Sequence, residues 1–250
     1  MKRTKKLQKV CELGLEAVPP FNFKYTVYKP SHFPTKLEDF DEQTGRFYRT
    51  FRVSQRKLIG LRISDLETVE SRPGIFVEAY SNNPLSSEEL DNLGNHVSRS
   101  FGLKEDVIAF YRKIPKTDPL QSQIANLGGM RNSCFENFFE ILNISSMLQN
   151  TTVKRSEQMM EAMLSNFGEK VQFDGREFYV FYTPSDVAKS NEQRLRELKL
   201  GYRAKFLMGI ADHFVQNPDL GDKIREMEFE DAKERLMEIK GIGPYSANTT

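Results

Sequence analysis

The amino-acid sequence predicts an α+β protein in which a small antiparallel sheet comes first and a bundle of helices follows. Three observations carry this. Alternating β-forming residues dominate before about residue 85, apolar residues recur at helical spacing after it, and turn or capping signals border both kinds of segment. Residues 21–28, 46–54, 57–64 and 74–80 mix aromatic and β-branched side chains, and Lys29-Pro30, Thr44-Gly45 and Arg72-Pro73-Gly74 separate them. They are expected to pair as an N-terminal antiparallel domain over 1–84, with Ser81-Asn82-Asn83-Pro84 as the linker.

The helices of 85–250 are marked by their apolar stripes: Leu120, Ile124 and Leu127, then Phe135, Phe138, Phe139 and Leu142, then Met160, Met163, Leu164 and Phe167. Tyr202, Phe206, Ile210 and Phe214 form another, and Phe229, Ala232, Leu236 and Ile239 the last. Asp118-Pro119 fits a helix start, and Ser190 with Gln193 fits a capping box. Residues 173–184 are expected to form an aromatic-rich turn between helices.

Composition narrows the class. With 250 residues, 38% apolar and 28% charged side chains, 19 Phe and 9 Tyr, the chain is too large for a disulfide mini-protein and too aromatic for a disordered one. No apolar run approaches the roughly 20 residues of a membrane span. The basic start MKRTKKLQKVCELG is followed by no apolar signal core, so the expected compartment is intracellular. Two cysteines and 3 His without metal-ligand spacing make a zinc site improbable, and Cys11 and Cys134 are expected to be buried.

The net charge of +1 hides a polarity along the chain. From 189 to 205 six bases (Lys189, Arg194, Arg196, Lys199, Arg203, Lys205) meet two acids, whereas from 221 to 240 seven acids meet five bases. The basic run reads either as a solvated helix face or as part of a polyanion surface.

The most informative stretch is LMEIKGIGPYSA, 236–247. An amphipathic helix ends at Gly241-Ile242-Gly243 and a second begins at Pro244, a favoured first helical residue. Glycines let a backbone approach a ligand closely, and a helix N-terminus presents N–H groups suited to a phosphate. A plain turn between helices is the alternative. The flanking Leu236, Ile239, Ile242 and Ala247 sharpen the pattern.

That stretch resembles the helix-hairpin-helix motif of the helix-hairpin-helix DNA glycosylase superfamily, here over 229–250. LQNTTVKR (148–155) is similar to the loop and helix start that enters the minor groove in these enzymes, and LGYRAKF (200–206) to the corresponding stretch of the 8-oxoguanine branch. The layout of a sheet followed by helices resembles the 3-methyladenine glycosylase II and 8-oxoguanine glycosylase groups, over nearly the whole chain. The resemblance implies a base-excision-repair enzyme acting on double-stranded DNA as a monomer. Asn150 would fill the gap left by a flipped base, with Gln149 and Thr151 near the same loop. Tyr202 would wedge beside it, and Arg203 would reach the estranged base. Lys240, Gly241, Ile242 and Gly243 would form the phosphate-facing turn. The resemblance also implies a catalytic Asp beyond the second hairpin helix. The sequence stops inside that helix at Thr250, so a longer protein is expected, and the iron–sulfur cluster of some relatives also belongs past this point. No cofactor is expected, a monovalent cation at the hairpin being the one ion allowed for. Bifunctional relatives carry a nucleophilic Lys two residues after the second glycine; Tyr245 stands there instead, as in the monofunctional alkylpurine enzymes. An alkylated purine is therefore the first expected substrate and 8-oxoguanine the second. A DNA-binding fragment without catalysis is the alternative if the chain ends at Thr250.

Overall fold

The structure, a computed structural model, describes residues 3–28, 36–53, 57–66 and 72–249. Lys29-Pro30 and Ser54, read above as a turn and a strand end, lie outside the described residues. A short strand β1 (Lys5–Lys6) leads into β2 (Gln8–Glu16), then come helix α1 (Phe23–Val27) and strands β3 (Glu38–Asp41), β4 (Arg46–Arg52), β5 (Leu58–Asp65) and β6 (Gly74–Ser81). Strands β2 to β6 make an antiparallel sheet in the order β2-β6-β5-β4-β3.

Residues 21–28, expected to be a strand, form α1 instead. The Asn22 side chain accepts a hydrogen bond from the Tyr25 amide at 3.0 Å and caps a helical turn, and that local bond outweighs the β preference of the aromatic side chains.

Period-two alternation gives β5 two working faces. Ile59, Leu61 and Ile63 point into a core with Leu93, Val97, Phe101, Leu103 and Phe135. Packing thus joins residues well past 84 to the sheet. Helix α2 (Ser87–Ser100) supplies much of this cover, and its start is fixed by a capping box between Ser86 and Glu89.

Helices α3 (Val107–Tyr111), α4 (Leu120–Leu127), α5 (Phe138–Leu148) and α6 (Val153–Phe167) follow, and then an unexpected hairpin of β7 (Glu169–Phe173) and β8 (Arg176–Val180). The segment read as an aromatic turn is mostly strand, because Asp174-Gly175, both at positive φ, makes a tight two-residue reversal. β1 pairs with β7 in parallel, and this small sheet covers the outer face of the larger one through Tyr48, Leu58, Tyr80, Val171, Phe173 and Phe178. The approach is close: a Cβ on Gly60 would stand 2.5 Å from the Phe173 ring.

The remaining helices are α7 (Pro184–Ala188), α8 (Glu192–Glu197), α9 (Arg203–Gln216), α10 (Leu220–Glu226), α11 (Phe229–Met237) and α12 (Pro244–Thr249). They enclose a second core of Leu142, Met160, Met163, Leu164, Leu207, Ile210 and Phe214, among others. The cap of α8 is Asn191, one residue after the expected Ser190; its side chain accepts from the Arg194 amide. Phe229, placed on a buried stripe by its spacing, is exposed, since α11 buries only its last turn. Cys134 is exposed and Cys11 half-buried, so neither is the buried cysteine expected. Among the described residues no helix is long and apolar enough to cross a membrane.

Candidate nucleic-acid interface

Three segments far apart in the chain meet at one corner of the helical part. The first is the connection between α5 and α6. Gln149 ends α5 and the Thr152 side chain caps α6, leaving Asn150 and Thr151 to make the turn. Asn150 is exposed at φ +46, a left-handed conformation that Asn tolerates better than most residues. Exposed Leu148 and Val153 flank it.

The second segment is the turn from α8 into α9, in which Lys199 and Gly201 both have positive φ. Tyr202 precedes the helix and is 44% exposed, so it stands outside the buried stripe of Ala204, Leu207, Ile210, Ala211 and Phe214. Its ring packs edge-on against Phe206.

The third is the helical hairpin. Leu236, Ile239, Ile242 and Ala247 are buried in the main core, while Lys240 is exposed and Gly243 half-exposed at the turn. The corner is therefore anchored by its apolar residues and faces outward with its polar ones. Tyr245 is 80% exposed. The two glycines differ. Gly241 has φ +95, and a Cβ there would meet the Phe206 ring at 2.5 Å. Gly243 has open space around the same position. Close approach at Gly241 is thus to the protein's own interior, and only Gly243 has the clearance expected for a ligand.

Hydrogen bonds tie the three segments together. The Gln149 side-chain amide donates to the Gly241 carbonyl at 3.2 Å, the Arg203 guanidinium donates to the Gln149 carbonyl, and the Arg155 guanidinium donates to the Lys199 carbonyl. Arg203 is only 8% exposed and lies against the Tyr202 ring, 4.6 Å from its centroid. Two of the residues expected at the DNA are engaged within the protein. Arg203 is turned inward, donating to the Gln149 carbonyl and lying against the Tyr202 ring, while its buried Nε has no hydrogen-bond partner among the described residues. Gln149 spends an amide donor on the hairpin. Asn150, Tyr202 and Lys240 are exposed, with Gly243 and Thr151 half-exposed beside them.

The arginines are spent internally and the lysines are left outside. Lys154, Lys199, Lys205 and Lys240 are exposed, and none forms an ion pair among the described residues. Along α8, α10 and α11 bases are matched: Arg194 with Glu197, Arg196 with Glu192 at 2.6 Å, Lys223 with Asp219 at 2.7 Å, Lys233 with Glu230. The basic run of 189–205 is split in this way between a neutralised helix face and a positive corner.

At the far end of α5 lies a buried charge cluster that sequence reasoning missed. Arg49 on β4, 1% exposed, faces Glu38, Glu136 and Glu140 at 3.4 to 3.6 Å. Burial pushes the Glu140 carboxyl up to about 7 despite the guanidinium, and burial with nearby Arg99, Arg49 and Arg225 pulls His96 down to about 4. The partners of this β4 arginine come from β3, from α5 and from the segment just before α5, and no local spacing reveals them.

Two helices closing on a glycine turn, braced against a helix junction and carried beside a sheet, form a helix-hairpin-helix element within an α+β fold. Residues 144–243 match the family described as HhH-GPD superfamily base excision DNA repair protein. That match covers 100 of the chain's 250 residues, from within α5 to the hairpin turn. It is 25% identical to a DNA-3-methyladenine glycosylase of Bacillus subtilis over 66% of its own length and 55% of the relative's. It is 26% identical to the N-glycosylase/DNA lyase OGG1 of Arabidopsis thaliana over 96% of its length and 64% of the relative's. The chain thus spans between about half and two thirds of the length of these curated relatives. Its fold is shared with a 3-methyladenine DNA-glycosylase from Archaeoglobus fulgidus, with a TM-score of 0.73 at 20% identity over 95% of this chain and 77% of that one.

Proposed function

We propose that the protein is a base-excision DNA glycosylase, which rotates a damaged purine out of duplex DNA and hydrolyses its N-glycosidic bond without cutting the strand. The observation that carries this is the corner where lysines without acid partners surround an exposed helix-junction turn and a helical hairpin. Lysines of this kind gain most from neutralising backbone phosphates, since no internal pair has to be given up first. Rotating a base out costs a few kcal/mol, and the vacated space needs filling. Asn150, with Leu148 and Val153 exposed on either side, is the group that enters the duplex, and Tyr202 supports the distorted strand.

The leaving base takes the bonding electrons and the sugar develops oxocarbenium character, which a nearby carboxylate stabilises while accepting a proton from the attacking water. The resemblance assigns that carboxylate to a position past Thr250. Tyr245, highly exposed where bifunctional relatives carry a nucleophilic Lys, favours water over an amine as the nucleophile. An alkylated purine is the first candidate substrate; the GYRAK segment keeps 8-oxoguanine as the second.

The test is release of free base from duplexes bearing alkylated, deaminated or oxidised purines, by this chain and by any longer form its gene encodes. Release of an alkylated purine with an intact abasic strand is expected. A covalent adduct trapped by borohydride would overturn the hydrolytic assignment, and no release from any duplex would overturn the enzymatic one.

A further inference from the structure

We propose that Gln149 is a positioning residue, a brace that sets the helical hairpin and the Asn150 turn in one register so that both meet the same duplex together. The proposal rests on the glycosylase reading for its DNA-bound consequences, and on geometry alone for the unbound protein. Among the described residues, Gln149 is the one residue of the corner hydrogen-bonded to both of the other segments. Its side-chain amide reaches the Gly241 carbonyl, 92 residues away, and its own carbonyl takes the guanidinium of Arg203, 54 residues away.

What the brace restrains follows from its position. Gln149 leaves the helix at φ −62 and ψ 129, and Asn150 follows at φ +46, so the direction of the exposed Asn150 side chain depends on where Gln149 is held. On the other side the bond ends on Gly241, two residues before the open Gly243. A hairpin gripping a phosphate and a turn entering the helix stack must be spaced to fit one strand. Apolar packing alone leaves small rotations of a short helix cheap, whereas a directional hydrogen bond does not. Arg203, half of the same arrangement, keeps the carbonyl end fixed while stacked on Tyr202. The brace thereby joins the wedge, the turn and the hairpin.

Two variants separate the brace from an ordinary DNA contact. Gln149→Met keeps the length and removes the donor; Gln149→Glu keeps the shape and sets an acceptor against the Gly241 carbonyl. Both leave the Gln149 carbonyl available to Arg203, and thermal unfolding reports whether each variant is folded. In the absence of DNA, amide hydrogen exchange at Ile242 and Ala247, which donate to the Ile239 and Gly243 carbonyls, is expected to speed up about three- to tenfold in Gln149→Met and more in Gln149→Glu. Affinity for a duplex carrying a tetrahydrofuran abasic analogue is expected to fall by about the same factor, and affinity for an undamaged duplex by less than about twofold.

Unchanged exchange in both folded variants overturns the brace. So does an equal loss of affinity for both duplexes, which would make Gln149 a plain backbone contact. If the unsubstituted protein itself shows no preference for the abasic duplex, the glycosylase reading fails, and the exchange measurement still decides the brace by itself.

Discussion

The helices carry two populations of basic side chains, and they differ in company rather than in number. Along α8, α10 and α11 each of Arg194, Arg196, Lys223, Arg225, Lys233 and Arg235 has an acid three or four residues away and pairs with it. At the corner, Lys199, Lys205 and Lys240 have none at that spacing, and Lys154 leaves Glu157 unpaired. Exposed pairs of the first kind contribute about 0–1 kcal/mol to stability, and mainly cancel field. A protein of net charge +1 can therefore present a strongly positive surface, provided its acids are kept elsewhere.

The contrast can be broken most severely through the shape of the corner. Gly241→Ala forces a side chain into positive φ and against the Phe206 ring, and should cost about 2–4 kcal/mol in chemical denaturation. Gly243→Ala, with open space at the same position, should stay within about 0.5 kcal/mol. Equal losses would mean that the turn is not built around Phe206. Changing charge alone should leave stability intact and act on binding. Each of Lys199→Ser and Lys240→Ser is expected to lower the slope of log affinity against log salt by about 0.9 on duplex DNA. Lys223→Ser and Lys233→Ser should leave it unaltered, and a slope that responds equally to all four would erase the distinction between the two populations.

A separate effect lies away from the corner and appears as a pH dependence of stability. Glu140 titrates at about 7 when folded and near its ordinary 4.5 when unfolded, so between these values the folded state holds a proton that the unfolded state has lost. Stability from this group is present below about 4.5 and is lost as pH rises through about 7. Glu140→Gln should therefore gain on the unsubstituted protein as pH rises across that window. His96, lowered to about 4, acts in the opposite sense: its contribution is complete above its ordinary 6.5 and falls away as pH drops. A denaturation midpoint series from pH 4 to 8 reads both, and a Glu140→Gln difference independent of pH would contradict the burial of that carboxyl.

How far the sequence was legible depended on whether the deciding interaction was local. Strands β4, β5 and β6, helices α5, α6 and α9 and the helical hairpin all show in the periodicity of their side chains. So did the pairing of the helix bases, since Arg196 and Glu192 stand four residues apart. The β7–β8 hairpin was present as Asp174-Gly175 between aromatic strands, but the surrounding rings suggested a loop. Helix α1 was decided by one cap at Asn22, against the propensity of the residues after it. At the corner, Tyr202 fitted the apolar stripe of α9 as well as a wedge and only the fold shows it exposed, whereas the inward turn of Arg203 and the reach of Gln149 depend on carbonyls 54 and 92 residues distant. Arg49 is the extreme case: a strand position in alternation with Phe47 and Phe51 looks like core, and only the fold brings three carboxylates to it.

The pairing of β1 with β7 has a consequence for how the chain is made. Lys5 and Lys6 lie in register with Val171 and Gln172, and the Leu7 amide donates to the Gln172 carbonyl at 2.9 Å. A nascent polypeptide leaving the ribosome cannot close this contact until some 170 residues have been added, roughly 10–30 s at ordinary elongation rates. Through that interval the outer face of the larger sheet, with Tyr48, Leu58 and Tyr80, waits uncovered. Chaperone engagement during translation should therefore end only when β8, through Val180, has emerged from the exit tunnel.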